Sequence, residues 1–578
     1  MKRIKYVFLL FKYLKDYRIQ MFLALIVHFL YKALPIALGL TTSYVFSQAL
    51  LGHLTESGKP ILIVLGMIAG TAVLNYLDIL ISHDVAYRIL THLRNLSYEK
   101  LTEIAPAGLE SESSGNIMSV MLADIEILEW FYAHVTVQIF VAVVLPIMSL
   151  ILLAQFSIWI ALLLLVFIVI MIAIPVFYSQ KSNVQGQAVR KEYGKLSSVI
   201  VDGIQGLKDI ISFQWQGIYT KKLFQKNDAF NQTNYSYHER MTEENRLVGL
   251  AMGLSSLCAT ILILYFYKEG RYGAEWILPL ISCAALIYSP LQETLSMSSN
   301  YGVIFAASER VFRFLQEKPL ISDHGKIETF SCGQEGVVFD NVSFSFKDDD
   351  GNRNTILKGL SFQVKQDETV VLVGKSGCGK STSIKLLQRF WDIDSGAISI
   401  YGTDIRNIPL QKLRDEMIVV PQETYLFNQT VEENLRFANR NATIAEIEAA
   451  LKKANAYDFV MNLKDGLKTP VGERGLKLSG GEKQRLSIAR GFLRPGKILL
   501  LDEITANLDG ANEQLVNEAL TELKKGKYTL MIAHRLSTIK QADRVVFIQD
   551  GKVCDTGTFE QLIERNHDFS VTVGLSNS

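Results

Sequence analysis

The 578 residues are 49% hydrophobic and 20% charged with a formal net charge of +1. Without a sustained Lys/Arg stripe this excludes nucleic acid as the main partner, because phosphate-backbone binding needs concentrated positive charge. The length exceeds what one hydrophobic core supports, and the composition is uneven: long apolar runs fill the N-terminal half and an ordinary soluble composition follows, which predicts a membrane part and a soluble part.

Residues 1–18 alternate apolar positions at helical spacing with Lys and Arg and have no small-residue cleavage site, predicting an interfacial helix rather than a signal peptide. Apolar residues then dominate 20–46, 60–82, 134–153, 157–177, 247–267 and 274–295, each close to the roughly 20 positions that cross a bilayer. A six-span membrane domain over 19–316 follows. Lys2, Arg3, Lys5, Lys12, Lys15 and Arg18 precede the first span, and Lys181, Arg190, Lys191, Lys195, Lys208, Lys221 and Lys222 lie between the fourth and fifth. The opposite loops carry far fewer, so the positive-inside rule predicts cytoplasmic termini and two long cytoplasmic connections. In those connections 83–103 and 181–205 keep helical periodicity, predicting helical hairpins beyond the bilayer with tips near 110–116 and 206–216. Short helices at the tips are expected to pass motion to the soluble domain. Inside the spans, His28, Lys32, Asn75, Asp78, His134, Gln292 and Glu293 are conspicuous, since ionisable groups in hydrocarbon need partners or water. Counting depth antiparallel from the ends predicts a His28–Asp78 contact. The cysteines, Cys258, Cys283, Cys332, Cys378 and Cys554, have no metal-ligand spacing and are expected to be free thiols.

A mixed-polarity linker, 317–335, leads to an alternating strand at 336–346, where the domain 336–578 begins. Residues 369–382, TVVLVGKSGCGKST, read as a buried strand, a phosphate loop and a helix start. Gly374, Gly377 and Gly379 allow the tight turn. The loop residues Lys375, Ser376 and Cys378 and the helix start at Thr382 add backbone N–H groups toward phosphate oxygens. The Lys380 ammonium would reach the β/γ-phosphates, and the Ser381 hydroxyl would ligate Mg2+ carried with ATP. Residues 497–503, KILLLDE, form a short apolar run ending in two carboxylates, the pattern of a buried parallel strand meeting a nucleotide, known as Walker B. Asp502 would hold the metal's hydration shell and Glu503 would polarise the attacking water. A second Gly-rich turn, LSGGEKQR at 478–485, offers further backbone donors through Ser479, Gly480, Gly481 and Glu482. One nucleotide seldom needs two cradles, so this turn is expected to serve a nucleotide bound by another copy.

Together, 478–485 and the motifs around it resemble the ATP-binding-cassette (ABC) proteins, and nearly the whole chain resembles an exporter-fold half-transporter. The resemblance implies an α-helical six-span domain followed by an α/β P-loop domain, ATP hydrolysis, and a second half-transporter, identical or related, as partner. By the same resemblance Gln422 in VVPQ is the glutamine that joins the magnesium site to the membrane domain, which makes Ser381, Gln422 and Asp502 the expected metal set. Asp509 in ANLD matches the D-loop, His534 matches the switch histidine at the γ-phosphate, and Phe346 takes the place of the usual adenine-stacking tyrosine, keeping the π-face without the hydroxyl. ANLD departs mildly from the commoner SALD. Glu473 in TPVGERG matches a residue near the coupling helices. Residues 82–88, 105–109 and 124–134 resemble the branch of the cytochrome bd assembly transporters, heterodimers linked to thiols and haem, and are similar also to siderophore importers on the same fold. The location implied is a cell membrane, the inner or plasma membrane of a bacterium. The expected activity is ATP-driven export of a small molecule or peptide, with siderophore-type import and a nucleotide-gated channel or regulator as the alternatives. A soluble cassette ATPase acting on nucleic acid or ribosomes is disfavoured by the spans.

Overall fold

The computed structural model describes residues 2–52, 58–109, 114–323, 325–327, 335–347, 353–504 and 510–574. Packing divides the chain into two units, one of Met1–Leu101 with Glu112–Glu317 and one of Lys318–Ser578 with Thr102–Ser111.

The first unit is helical, and among its described residues are six helices long and apolar enough to cross a membrane. The Lys2–Tyr13 helix precedes them. Its Leu10 is buried with Met21, Ile89, Leu93, Leu128, Phe131 and Phe312, and its Leu10 carbonyl accepts the Tyr132 hydroxyl at 3.1 Å. Elsewhere the apolar side chains face outward: Ile61, Leu62, Ile63, Leu65 and Ile68 are all exposed on the Gly58–Ile104 helix. Such a band suits lipid, where outward leucine and isoleucine cost nothing. The expected helical extensions are present, since Gly58–Ile104 and Ile158–Gln205 run on well past their apolar stretches. At the second tip a short helix, Leu207–Ser212, joins Ile158–Gln205 to Gln216–Lys268. Residues 110–113 of the first tip lie outside the described residues.

The last span, expected over 274–295, is present as a candidate span over Ala274–Ser296. It is built from Ile277–Leu286 and Ser289–Ser296, with Ser298–Leu315 following. Pro290 is the reason: it has no N–H for the Leu286 carbonyl, and its ring crowds that carbonyl, so the helix breaks and restarts with proline in its first turn. Asp124, 2% exposed, is held by a two-pronged bond from Arg310, with both N–O distances 2.6 Å. That fork supplies the compensation a buried carboxylate requires.

The second unit has two sheets. Strands β1 (Val337–Lys347), β2 (Arg353–Val364), β4 (Ser395–Ile400) and β5 (Thr403–Asp404) form an antiparallel sheet in the order β2-β1-β4-β5. Strands β3 (Thr369–Val373), β6 (Met417–Val420), β7 (Ile498–Asp502), β8 (Tyr528–Ile532), β9 (Arg544–Gln549) and β10 (Lys552–Gly557) form a second sheet in the order β10-β9-β3-β8-β7-β6. All its pairings are parallel except β10 with β9. Strands β3 and β8 are buried at every position, as the unbroken TVVLV and YTLMI runs require of strands covered on both faces. One face packs Val370, Leu372, Leu500 and Leu530 against the antiparallel sheet's Phe339, Leu360 and Ile398. The other packs Val371, Val373, Leu499 and Leu501 against helical Leu486, Ile488, Val516 and Leu520. Residues 318–327, inside the expected linker, bond to this unit: Ser322 O accepts from Arg389 at 3.2 Å, and Lys326 and Ile327 N–H groups donate to Asn407 O.

Candidate functional site: a phosphate loop with a bridged carboxylate

Parallel strands deliver their carboxyl ends to one edge of the sheet, and β3, β7 and β8 carry the expected site residues there. After β3 the chain turns through Gly374 to Gly379. A Cβ on Gly374 would collide with the Ile548 carbonyl and the Cys378 sulfur, and Gly379 has φ +106°, so both positions need glycine. Lys375, Ser376 and Gly377 are exposed, while Cys378 is buried, with burial pushing its thiol pKa up. Lys380, only 6% exposed, donates to the carbonyls of Gly374 at 2.7 Å and Lys375 at 3.0 Å, which holds the loop in a curl around its ammonium. Ser381 is exposed and Thr382 half-buried on the first turn of the Lys380–Leu387 helix.

At the end of β7 the backbone reverses. Glu503 has φ +44°, its N–H donates to the Ile532 carbonyl of β8 at 3.2 Å, and its carboxylate is held on both sides. Gln422 Nε2 donates to Oε2 at 2.7 Å, and His534 Nε2 lies 2.7 Å from Oε1. Thus three residues far apart in sequence, two of them expected only by resemblance, meet on one carboxylate. Asp502 is half-buried, and burial followed by the Glu503 charge pushes its pKa above the usual carboxylate range, partly offset by Lys385, His534 and Lys380. A carboxylate uncomfortable as a lone anion, with the Ser381 hydroxyl and Gln422 amide as further oxygen donors, is a set that suits a hard divalent cation. Phe346 is half-buried at the end of β1, edge-on to Trp391 with centroids 5.4 Å apart. Trp391 has no motif to announce it and enlarges the aromatic surface beside Lys385, whose ammonium is 5.5 Å from its ring.

The glycine-rich turn opens the Gly480–Leu493 helix with a capping box: the Ser479 hydroxyl accepts from the Glu482 N–H, and Glu482 accepts from the Ser479 N–H at 2.8 Å. Gly480 is exposed and Gly481 is pressed against Asn512. Gln484, one turn on and 4% exposed, accepts from the Thr424 hydroxyl at 3.0 Å and donates to the Pro421 carbonyl at 3.3 Å. Arg490 donates to Tyr425 O and to Asn434 O and Oδ1, with burial lowering its pKa to about 10. The segment that presents Gln422 is therefore fastened to the Gly480–Leu493 helix, a link invisible in the sequence because it joins residues about 60 positions apart and runs largely through backbone carbonyls. Glu473 is exposed in a turn where Gly472, Arg474 and Gly475 all have positive φ. Asp509 lies outside the described residues.

In the membrane unit the expected His28–Asp78 contact is present at 2.9 Å. It extends further than expected, because His28 Nε2 is 2.9 Å from Gln138 Oε1 and Gln138 Nε2 donates to the Pro290 carbonyl at 3.0 Å. All three side chains are buried. Lys32 donates to Glu293 at 2.6 Å.

Residues 357–506 match the family described as ABC transporter, and residues 17–270 match ABC transporter transmembrane region. A probable ABC transporter ATP-binding/permease protein of Haemophilus influenzae is 33% identical over 509 residues, covering 87% of this chain and 90% of the relative. The putative multidrug export ATP-binding/permease protein YgaD of Bacillus subtilis is 30% identical over 583 residues, 98% of each chain. A bacterial Atm1-family ABC exporter solved with ATP bound superposes with TM-score 0.81 over 96% of this chain and 97% of its own at 24% identity, a likeness of fold. The chain thus belongs to the ABC transporter family, a multi-pass membrane protein with its ATP-binding domain fused to its transmembrane domain, whose ATP hydrolysis drives transport of the exporter type.

Proposed function

We propose that two copies of this chain, or this chain and a related one, export a small molecule or peptide across a cell membrane, with both ATP-binding domains in the cytoplasm. The observation that carries the reading is Glu503 held between Gln422 and His534, because a gate that merely binds nucleotide needs no general base. Lys380 exchanges the Gly374 and Lys375 carbonyls for the β- and γ-phosphates, whose full charges outcompete two dipoles. Loop N–H groups of residues 374–382 receive the remaining phosphate oxygens, and Phe346 and Trp391 offer ring surface to adenine. Glu503 accepts a proton from the water that attacks the γ-phosphorus, the bond to the bridging β–γ oxygen breaks, and ADP leaves. His534 holds the γ-phosphate from the other side of the carboxylate. Ser381, Gln422 and Asp502 are the residues that would hold Mg2+, which supplies neutralisation of phosphate charge.

The Ser479–Glu482 turn and Asp509 serve the nucleotide of the other copy. Closure of the shared sites is coupled to alternating access in the membrane unit. The Bacillus relative's description as a multidrug exporter supports the outward direction. The test is Glu503→Gln in liposomes of known orientation. ATPase turnover is expected to fall about 10²- to 10⁴-fold with nucleotide affinity retained, and ATP-dependent movement of cargo should stop. Turnover within a few-fold of the parent would remove Glu503 from this role.

A further inference from the structure

Outside the ATP site, a cluster of metal-ligating side chains among the described residues converges without being used by the mechanism. His83 sits on the Gly58–Ile104 helix just beyond the apolar stretch of the second span, and Glu129 and His134 sit where the third span begins. Their donor atoms all lie within 4.8 Å of one another. Glu129 Oε1 is 2.8 Å from His83 Nδ1 and 3.9 Å from His134 Nε2.

Two features separate this group from an ordinary ion pair. The first is the backbone. Residues five apart on an α-helix point about 140° away from each other, so Glu129 and His134 should diverge. Phe131–Val135, which carries His134 and begins two residues after Glu129, is instead a π-helical turn, whose wider i→i+5 bonding swings His134 back toward the side of Glu129. The second is the carboxylate itself. Glu129 is 8% exposed, and its Oε1 is buried without a hydrogen-bond donor of acceptable geometry, although His83 is close. A buried carboxylate oxygen left unbonded is costly, and a cation at the meeting point of the three donors would relieve that cost.

We propose that His83, Glu129 and His134 form a binding site for a borderline divalent transition-metal ion of the zinc class. Two donor atoms on one such ion lie no more than about 4.2 Å apart, given metal–nitrogen and metal–oxygen bonds of about 2.1 Å. Both separations to Glu129 already meet this limit. Two imidazoles with one carboxylate select Zn2+, Co2+, Ni2+ or Fe2+ over the all-oxygen preference of Mg2+ and Ca2+. The side chains of His83 and His134 are 30% and 36% exposed, against 11% for Glu129, so the carboxylate anchors the ion from inside while the imidazoles leave a coordination position reachable from outside. The ion would pin the second span to the third at the ends of their apolar runs.

The test uses the full-length chain without a metal-binding tag, in lipid nanodiscs, stripped of metal and free of nucleotide. Co2+ alone is titrated in, followed by visible ligand-field absorption, with Zn2+ as competitor. One Co2+ per chain is expected, displaced by Zn2+, with affinity falling at least about tenfold in each of His83→Ala, Glu129→Gln and His134→Ala. Glu129→His, which keeps three donors, should retain binding and guards against loss through misfolding. Uptake in the parent no greater than in the His83→Ala/His134→Ala double variant, including no uptake at all, would overturn the proposal.

Discussion

Glu503 occupies a backbone region that costs a non-glycine residue on the order of 1 kcal/mol, and the Ile532 carbonyl together with the two side-chain partners keeps it there. Glutamine shares that strain, so Glu503→Gln isolates the loss of the proposed base from any change in the turn. Its neighbour Asp502 gives a pH-dependent prediction. Because burial and Glu503 raise its folded-state pKa above the unfolded value near 3.9, the folded chain holds a proton that the unfolded chain releases. Asp502 therefore subtracts stability as pH rises through that window, and the deficit is complete above the folded pKa. Asp502→Asn is expected to stabilise the nucleotide-free chain at neutral pH, with the gain vanishing below the unfolded pKa, while ATPase activity is lost. Hydrogen exchange of the β7 amides at acid and neutral pH reads the first effect. The carboxylates themselves were legible in KILLLDE because their place at a strand end follows from sequence order. Their electrostatics were not, since these depend on how β7 and β8 lie side by side.

Among the described residues, four helices of the ATP-binding unit begin with the same reciprocal cap, at Thr430, Thr443, Ser479 and Thr558. Three have Glu at the third helical position and one Gln, a pattern that a one-dimensional reading detects. Thr443→Ala should cost about 1 kcal/mol of stability and leave turnover per folded molecule unchanged. Ser479→Ala should cost a similar amount and, on the proposed function, also depress ATPase activity, because the same hydroxyl shapes the turn proposed to meet nucleotide. Chemical denaturation and steady-state ATPase assays on both variants separate the two contributions. The helical hairpins were legible for a comparable reason, as periodicity continues past the hydrophobic stretch. The break before Pro290 follows an apolar run, 277–287, that reads as one continuous span, and the π turn at 131–135 lies outside any 3.6-residue periodicity.

At the scale of the whole molecule, the proposed sharing of sites between copies makes a prediction that a self-contained site does not. Lys380→Ala disables a chain's own loop, and Gly480→Asp disables the turn it lends. Each variant alone should be inactive, whereas a co-assembled mixture should regain about a quarter of the intact nucleotide sites, by random pairing of a two-fold dimer. Trapping of ATP by the separate and mixed preparations measures this. No recovery, with mixed dimers present by mass, would count against the shared arrangement. The polar chain from Asp78 through His28 and Gln138 to Pro290 has a consequence for how the protein is made. Its links join residues 50, 110 and 152 positions apart, so the ribosome delivers the imidazole long before the carbonyl that completes the chain. The His28 imidazole must enter the bilayer before Asp78 and Gln138 can pair with it, and the Gln138 amide waits for the last span, so hydration or an insertion factor has to satisfy these groups in the interval.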